Sequence, residues 1–248
     1  MNNLNRRSGL YTTDMTQGNV MMHIVRFFIP LFLGNLFQQM YNMVDLIIVG
    51  KGLGDNQLAA VGACGSVNFF VMGFLIGLTG GMGILISQAY GAGDLILLRR
   101  FAAMSITVCF AVGIIVTIFS LLFVKSYFVF MQTPADILSG SLHYFRVILC
   151  GVLVTIINNL CLNLLRALGD GKTPLKALIF SSVTNIGLDL FLILVVKAGV
   201  AGAALATVTA QLLSIVYCIG RIRNIPELAF EKDDWGIRPE LIKKLIFK

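Results

Sequence analysis

Long apolar runs alternate with short polar breaks along most of this 248-residue chain. About 20 consecutive apolar residues are enough to cross the hydrocarbon core of a bilayer as an α-helix. The pattern predicts six such helices, near residues 22–49, 57–89, 101–124, 139–165, 174–196 and 199–220. The breaks carry glycine, proline, asparagine and aspartate, which are typical of turns. The sequence therefore predicts an all-α integral membrane protein, a bundle of six transmembrane helices.

Composition agrees with a membrane protein and argues against an enzyme. The chain is 57% hydrophobic and only 12% charged, whereas a soluble domain carries about 25% charged residues. The five cysteines fall in apolar runs without metal-type spacing, so we interpret them as packing residues. No Ser/His/Asp set or metal-ligand set indicates catalysis, and we expect no cofactor beyond a coupling ion.

Basic residues are distributed unevenly about the predicted helices. Fifteen of the 19 Lys and Arg residues fall on one side of the bundle and three on the other, while Arg146 lies within a helix. Because cytoplasmic loops carry an excess of Lys and Arg, this asymmetry predicts a multi-pass protein of the plasma (inner) membrane with a cytoplasmic N-terminus. The net charge of +7 is thereby explained without a nucleic-acid partner.

The same pattern divides the chain into three parts. Residues 1–20 are polar and are predicted to form a cytoplasmic tail, and residues 21–223 are predicted to form the six-helix lobe. Residues 224–248 are charged and are predicted to form a cytoplasmic connector. The final segment Pro239–Lys248 looks like the start of another amphipathic helix, so we expect a further lobe that is missing from this chain.

Two carboxylates, Asp45 and Asp189, are the only ones of the 12 Asp and Glu residues that fall within the apolar runs. A charged Asp at the centre of a membrane helix costs roughly 2.5–3.5 kcal/mol on insertion scales, so such residues mark ion or proton sites by default. The alternative is that each carboxylate only ties two helices together.

Four of the predicted helices carry polar side chains three or four residues apart, so each set shares one helix face. These sets are Asn35, Gln38, Asn42 and Asp45 in the first helix; Thr155, Asn159 and Asn163 in the fourth; Ser181, Asn185 and Asp189 in the fifth; and Thr207, Gln211 and Ser214 in the sixth. In lipid such faces must point into the bundle or into a water-filled cavity. Converging rows that include two acids favour a cavity.

The two acids also lie at similar depths. At about 1.5 Å per residue, Asp45 and Asp189 are roughly 8 and 12 Å from the outer ends of their helices. Thr207 lies roughly 12 Å inside its helix by the same measure, and Asn185 is one turn from Asp189. These four groups can therefore meet at one level, as a set of oxygen ligands suited to a small hard cation. Two nearby carboxylates would alternatively hold a proton between them, so both Na⁺ and H⁺ fit.

Proline 30 lies fifteen residues before Asp45 in the same predicted helix. It removes one backbone hydrogen bond and favours a kink. With Gly34 nearby, we expect a hinge in the first helix; a static kink is the alternative.

Several segments together resemble the multidrug and toxic compound extrusion (MATE) transporters, over residues 15–248. The matching segments are IPLFLG (29–34), MYNMVDLIIVGKGLG (40–54), LAAVG (58–62), SQAYGAGD (87–94), RALGDGKTP (166–174), NIGLD (185–189) and GVAGAALAT (199–207). The resemblance implies one lobe of a twelve-helix fold, here the N-terminal lobe. It also implies export of drugs and organic cations in exchange for Na⁺ or H⁺, with membrane lipid and a second lobe as partners.

The resemblance also implies roles for particular residues. The family's N-lobe cation site maps onto Asp45, Asn185, Asp189 and Thr207, and its first-helix hinge maps onto Pro30. We expect the drug cavity to be lined by polar and aromatic side chains, among them Gln38, Tyr41, Asn42, Asn159 and Asn163. Two alternatives remain: a lipid-linked precursor flippase of the same superfamily, which would need cationic residues in its spans, and a membrane fragment that does not transport.

Overall fold

A computed structural model describes residues 20–236, which fold into eight α-helices with short connections. The helices are α1 (Val20–Leu53), α2 (Asp55–Ala63), α3 (Gly65–Gly91), α4 (Leu95–Phe130), α5 (Ala135–Cys150), α6 (Val152–Ala167), α7 (Lys172–Asp189) and α8 (Gly199–Ile222). A π-helical turn, Leu190–Val195, extends α7. The 3₁₀ turns Pro226–Leu228 and Lys232–Trp235 follow α8. Residues 1–19 of the predicted tail at 1–20 and the predicted helix start at Pro239–Lys248 lie outside the described residues, and Val20 already belongs to α1.

All six predicted runs are helical, but two of them are divided. The run at 57–89 is broken at Cys64, where α2 ends and α3 begins. The run at 139–165 bends by 48° between α5 and α6. The bend lies at Gly151, where a Cβ would collide with Val208 of α8. A glycine is therefore required at the point where α8 crosses the bend.

The long helices are suited to a bilayer. By length and composition, four described helices could cross a membrane, namely α3, α4, α7 with its π-turn, and α8, and the bent pair α5 and α6 counts as a fifth. Helix α1 is longer than most of these, with 34 residues, but it carries the polar row that ends at Asp45. The apolar side chains that α4 exposes, such as Ile115 and Leu122, are what a lipid-facing surface requires.

Short connections make successive long helices antiparallel neighbours, which gives the bundle two distinct ends. One end of the bundle contains the starts of α4 and α7 and the ends of α3, α6 and α8. We call it the basic end because it carries Arg99, Arg100, Arg166, Lys172 and Arg223. The opposite end holds α2, the start of α5, the π-turn and the start of α8. The main core lies between α3, α4, α5 and α6.

Candidate cation site

Asp45 on α1 and Asp189 on α7 meet inside the opposite end of the bundle, because α1 and α7 pack along each other. The carboxyl groups of Asp45 and Asp189 lie close enough to each other for electrostatic interaction. Asp189 is fully buried, with 0% exposure, and Asp45 is partly buried. The Oδ1 atom of each is buried and has no hydrogen-bond partner among the described residues.

Asn185 and Thr207 are the other two residues that the sequence predicts at the level of the acidic pair. Asn185 is 1% exposed and lies one turn before Asp189 on α7. Its surroundings favour the amide orientation in which its nitrogen donates to Asp189 Oδ2 at 3.2 Å and its oxygen accepts from the Thr207 N–H at 3.2 Å. In the reverse orientation the nitrogen donates to Thr207 Oγ1 at 3.4 Å. Either way the amide bridges α7 and α8 beside the acids.

Two phenol groups lie close enough to both carboxylates for electrostatic interaction. They belong to Tyr41 on α1 and Tyr144 on α5. Tyr41 was expected to line the drug cavity, and the structure places it beside the acidic pair. Sequence reasoning missed Tyr144, because a tyrosine near the end of an apolar run is typical of an interfacial anchor. No periodic polar row includes it.

A small apolar cluster closes the site on the side of the nearer bundle end. We call it the end cluster; its buried members are Val49, Val61, Ile193, Val200 and Ala203. Val49 and Ile193 each lie four residues beyond one of the acids, and Ala203 lies four residues before Thr207, so the cluster stacks one turn outward from the polar groups. Gly52 makes this packing possible, since a Cβ there would lie 2.8 Å from Ile193 Cγ2.

The arrangement leaves the two acids electrostatically unbalanced. Neither has a basic partner among the described residues. Two unit charges 4 Å apart repel by about 4 kcal/mol at an effective dielectric constant of 20. A positive ion placed between the carboxylates would remove that repulsion, and the unpartnered Oδ1 atoms are suited to bind it. Carboxylate, amide and hydroxyl oxygens are the ligands that hard cations prefer.

The predicted cavity residues fall into two groups. Gln38 and Asn42 on α1 are exposed on the surface of the bundle, on the helix face that also carries Asp45. Asn159 and Asn163 on α6 make bonds elsewhere: Asn159 donates to the Thr155 carbonyl at 3.0 Å, and Asn163 donates to Thr79 Oγ1 at 3.2 Å. Among the described contacts, no bond joins these two amides to the acidic pair.

The predicted hinge residues lie within α1, which stays helical through Pro30. Gly34 is buried, and a Cβ there would lie 3.1 Å from Leu178 Cδ1 on α7. This glycine therefore lets α1 lie close against α7, the contact that brings Asp45 to Asp189.

This topology and site can be compared with known proteins. The MatE family model matches residues 30–191. The chain belongs to the MatE family. The resemblance drawn from the sequence motifs is thereby confirmed, as is the all-α membrane fold that it implies.

MatE relatives include bacterial drug-resistance proteins. The probable multidrug resistance protein YoeA of Bacillus subtilis is 30% identical over 219 residues, which cover 87% of this chain and 47% of YoeA. The multidrug export protein MepA of Staphylococcus aureus is 27% identical over 203 residues, covering 79% and 44%. A solved outward-facing multidrug resistance MATE transporter matches with a TM-score of 0.87 and 29% identity, covering 94% of this chain and 53% of that one. The chain thus spans about half the length of the relatives it matches.

Proposed function

We propose that this chain is the N-terminal lobe of a multidrug efflux transporter that exports cationic and amphipathic compounds in exchange for Na⁺ or H⁺ by alternating access. One observation carries the proposal: the buried Asp189 and the partly buried Asp45 face each other, each with an Oδ1 atom that has no hydrogen-bond partner and neither with a basic partner among the described residues. The drug-resistance relatives favour this function over the lipid-precursor flippase and the inert fragment.

In this proposal the coupling ion binds between Asp45 and Asp189, with Asn185 and Thr207 as neutral ligands. A ligand shifts a conformational equilibrium only by its differential affinity for the two states, so ion and drug must favour different conformations. The exposed amides Gln38 and Asn42 face the space in which a second lobe would enclose the drug. The hinge at Pro30, the inner membrane and the cytoplasmic N-terminus belong to the same proposal.

Efflux of a fluorescent lipophilic cation from cells expressing the gene tests this function. We expect Asp45→Asn to abolish ion-driven efflux, because the neutral amide removes one of the two carboxylates that bind the coupling ion in this proposal. Asp55→Asn is the matched control, since Asp55 is an exposed acid at the start of α2 near the same bundle end. Imposed Na⁺ and pH gradients in membrane vesicles then identify the coupling ion. Undiminished efflux by Asp45→Asn at equal expression would refute the proposal.

A further inference from the structure

The segment that follows α8 folds back onto the bundle at the basic end. Residues 225–236, which we call the strap, lie against the first part of α4. Their near end is held by apolar packing: Ile225 and Leu228 are each only 5% exposed and belong to the main core. Beyond them, the rings of Phe230 and Trp235 are 5.6 Å apart. The strap is therefore docked on this lobe.

The far end of the strap is held by charge. Asp234 is 3% exposed, and Arg99 Nε of α4 donates to its Oδ2 at 3.1 Å. The same oxygen accepts from the Glu231 N–H at 2.9 Å. A second guanidinium nitrogen of Arg99 lies 3.3 Å from Glu231 Oε1. One arginine thus binds two acids of the strap through charge-assisted contacts, which are stronger than neutral hydrogen bonds.

We infer that Arg99 is a positioning residue that latches the strap to α4, so that the strap moves with this lobe. Releasing the far end would leave Asp234 as a buried carboxylate without its cation, which is strongly unfavourable. The path of the chain up to Gly236 is consequently fixed relative to α4. The inference concerns the opposite end from the acidic pair and does not depend on ion coupling.

Pulsed electron paramagnetic resonance on the 248-residue chain in lipid nanodiscs tests the latch. Spin labels are placed by Ile96→Cys, at an exposed position on α4, and by Gly236→Cys, where a Cβ meets only the Asp233 carbonyl at 3.6 Å. Cys150, the one exposed cysteine in the described part of the chain, is first changed to Ser. With Asp234 intact, we expect a narrow distribution of the distance between the two labels. In Asp234→Arg its width should at least about double, because the far end of the strap is released from α4 and becomes locally free.

The matched control is Asp233→Arg, the same charge change at the exposed neighbour, which we expect to keep the narrow distribution. The double variant Arg99→Glu/Asp234→Arg restores the pair in reverse and should narrow the distribution again. Arg99→Gln provides a second way to open the latch if Asp234→Arg fails to fold, as judged by circular dichroism. A narrow distribution in the opened variants, equal broadening in the control, or no recovery in the double variant would each overturn the inference.

Discussion

Buried carboxylates occur at both ends of this bundle, and their surroundings differ. At the basic end, Asp234 accepts from Arg99 and from a backbone N–H. Asp170, 8% exposed, accepts from the N–H groups of Lys172 and Thr173 at 3.1 and 2.9 Å and from the Thr173 hydroxyl. At the opposite end, Asp189 is buried more completely, yet its Oδ1 atom has no partner among the described residues.

The difference separates carboxylates whose partners lie within the protein from carboxylates that lack such partners among the described residues. A buried charge is costly unless partners compensate it. Asp234 is compensated by the Arg99 cation and a backbone N–H, and Asp170 by three hydrogen bonds. Asp45 and Asp189 differ, because each interacts with the other acid and neither has a basic partner among the described residues. In the proposed function, a coupling ion supplies the positive charge at this end.

Of the substitutions considered, Asp189→Asn should have the largest effect on cation binding. Removing one charge of the pair should weaken cation binding to the purified chain by roughly a hundredfold, about 2.7 kcal/mol. The free energy of unfolding should not fall, because the repulsion between the acids is removed. Binding of ²²Na⁺ and competition by protons measure the first effect, and thermal unfolding in detergent measures the second.

The control for this variant is Asp136→Asn, which changes an exposed acid in the first turn of α5. Its cation binding should match that of the native chain. If Asp189→Asn bound the ion normally but unfolded more easily, Asp189 would belong with the structural carboxylates and the comparison would fail.

Asp170→Ala should have the opposite pattern of effects, lowering stability without changing cation binding. The Asp170 side chain caps the start of α7 by accepting from two backbone N–H groups, and loss of such a cap costs about 0.5–2 kcal/mol of stability. We expect a lower unfolding temperature and unchanged cation binding. Asp170→Asn serves as the control, since asparagine caps helices about as well as aspartate. Loss of ion binding in Asp170→Ala would mean that the two ends are coupled.

The helices and the acidic pair could be predicted because one strong constraint governs both. A bilayer requires long apolar helices, so the runs are plain in the sequence, and any acid within them stands out. Helix spacing and depth then place Asn185 with Asp189, and Thr207 at the same level. The structure brings these groups together as the periodicity indicates.

What the sequence does not reveal depends on contacts between distant elements. The bend at Gly151 lies against Val208 of α8, 57 positions along the chain, and a single glycine in an apolar run does not by itself mark a bend. The connector at 224–248 looks like a polar linker, whereas the structure docks its first half through Arg99. Charge patterning counts Arg99 as a basic loop residue and cannot show that Asp234 is its partner.

A pair of threonines provides the finest comparison between the two ends. Thr207→Val removes the hydroxyl beside Asn185 and should weaken cation binding by several-fold, about 1 kcal/mol, the typical value of one hydrogen bond. Thr173→Val removes the hydroxyl that donates to Asp170 and should instead lower stability by about 1 kcal/mol, leaving cation binding intact. Each variant serves as the other's control, since the two substitutions are chemically identical. If both variants changed only stability, Thr207 would be a helix-packing residue, and the ion would be held by the carboxylates and Asn185 alone.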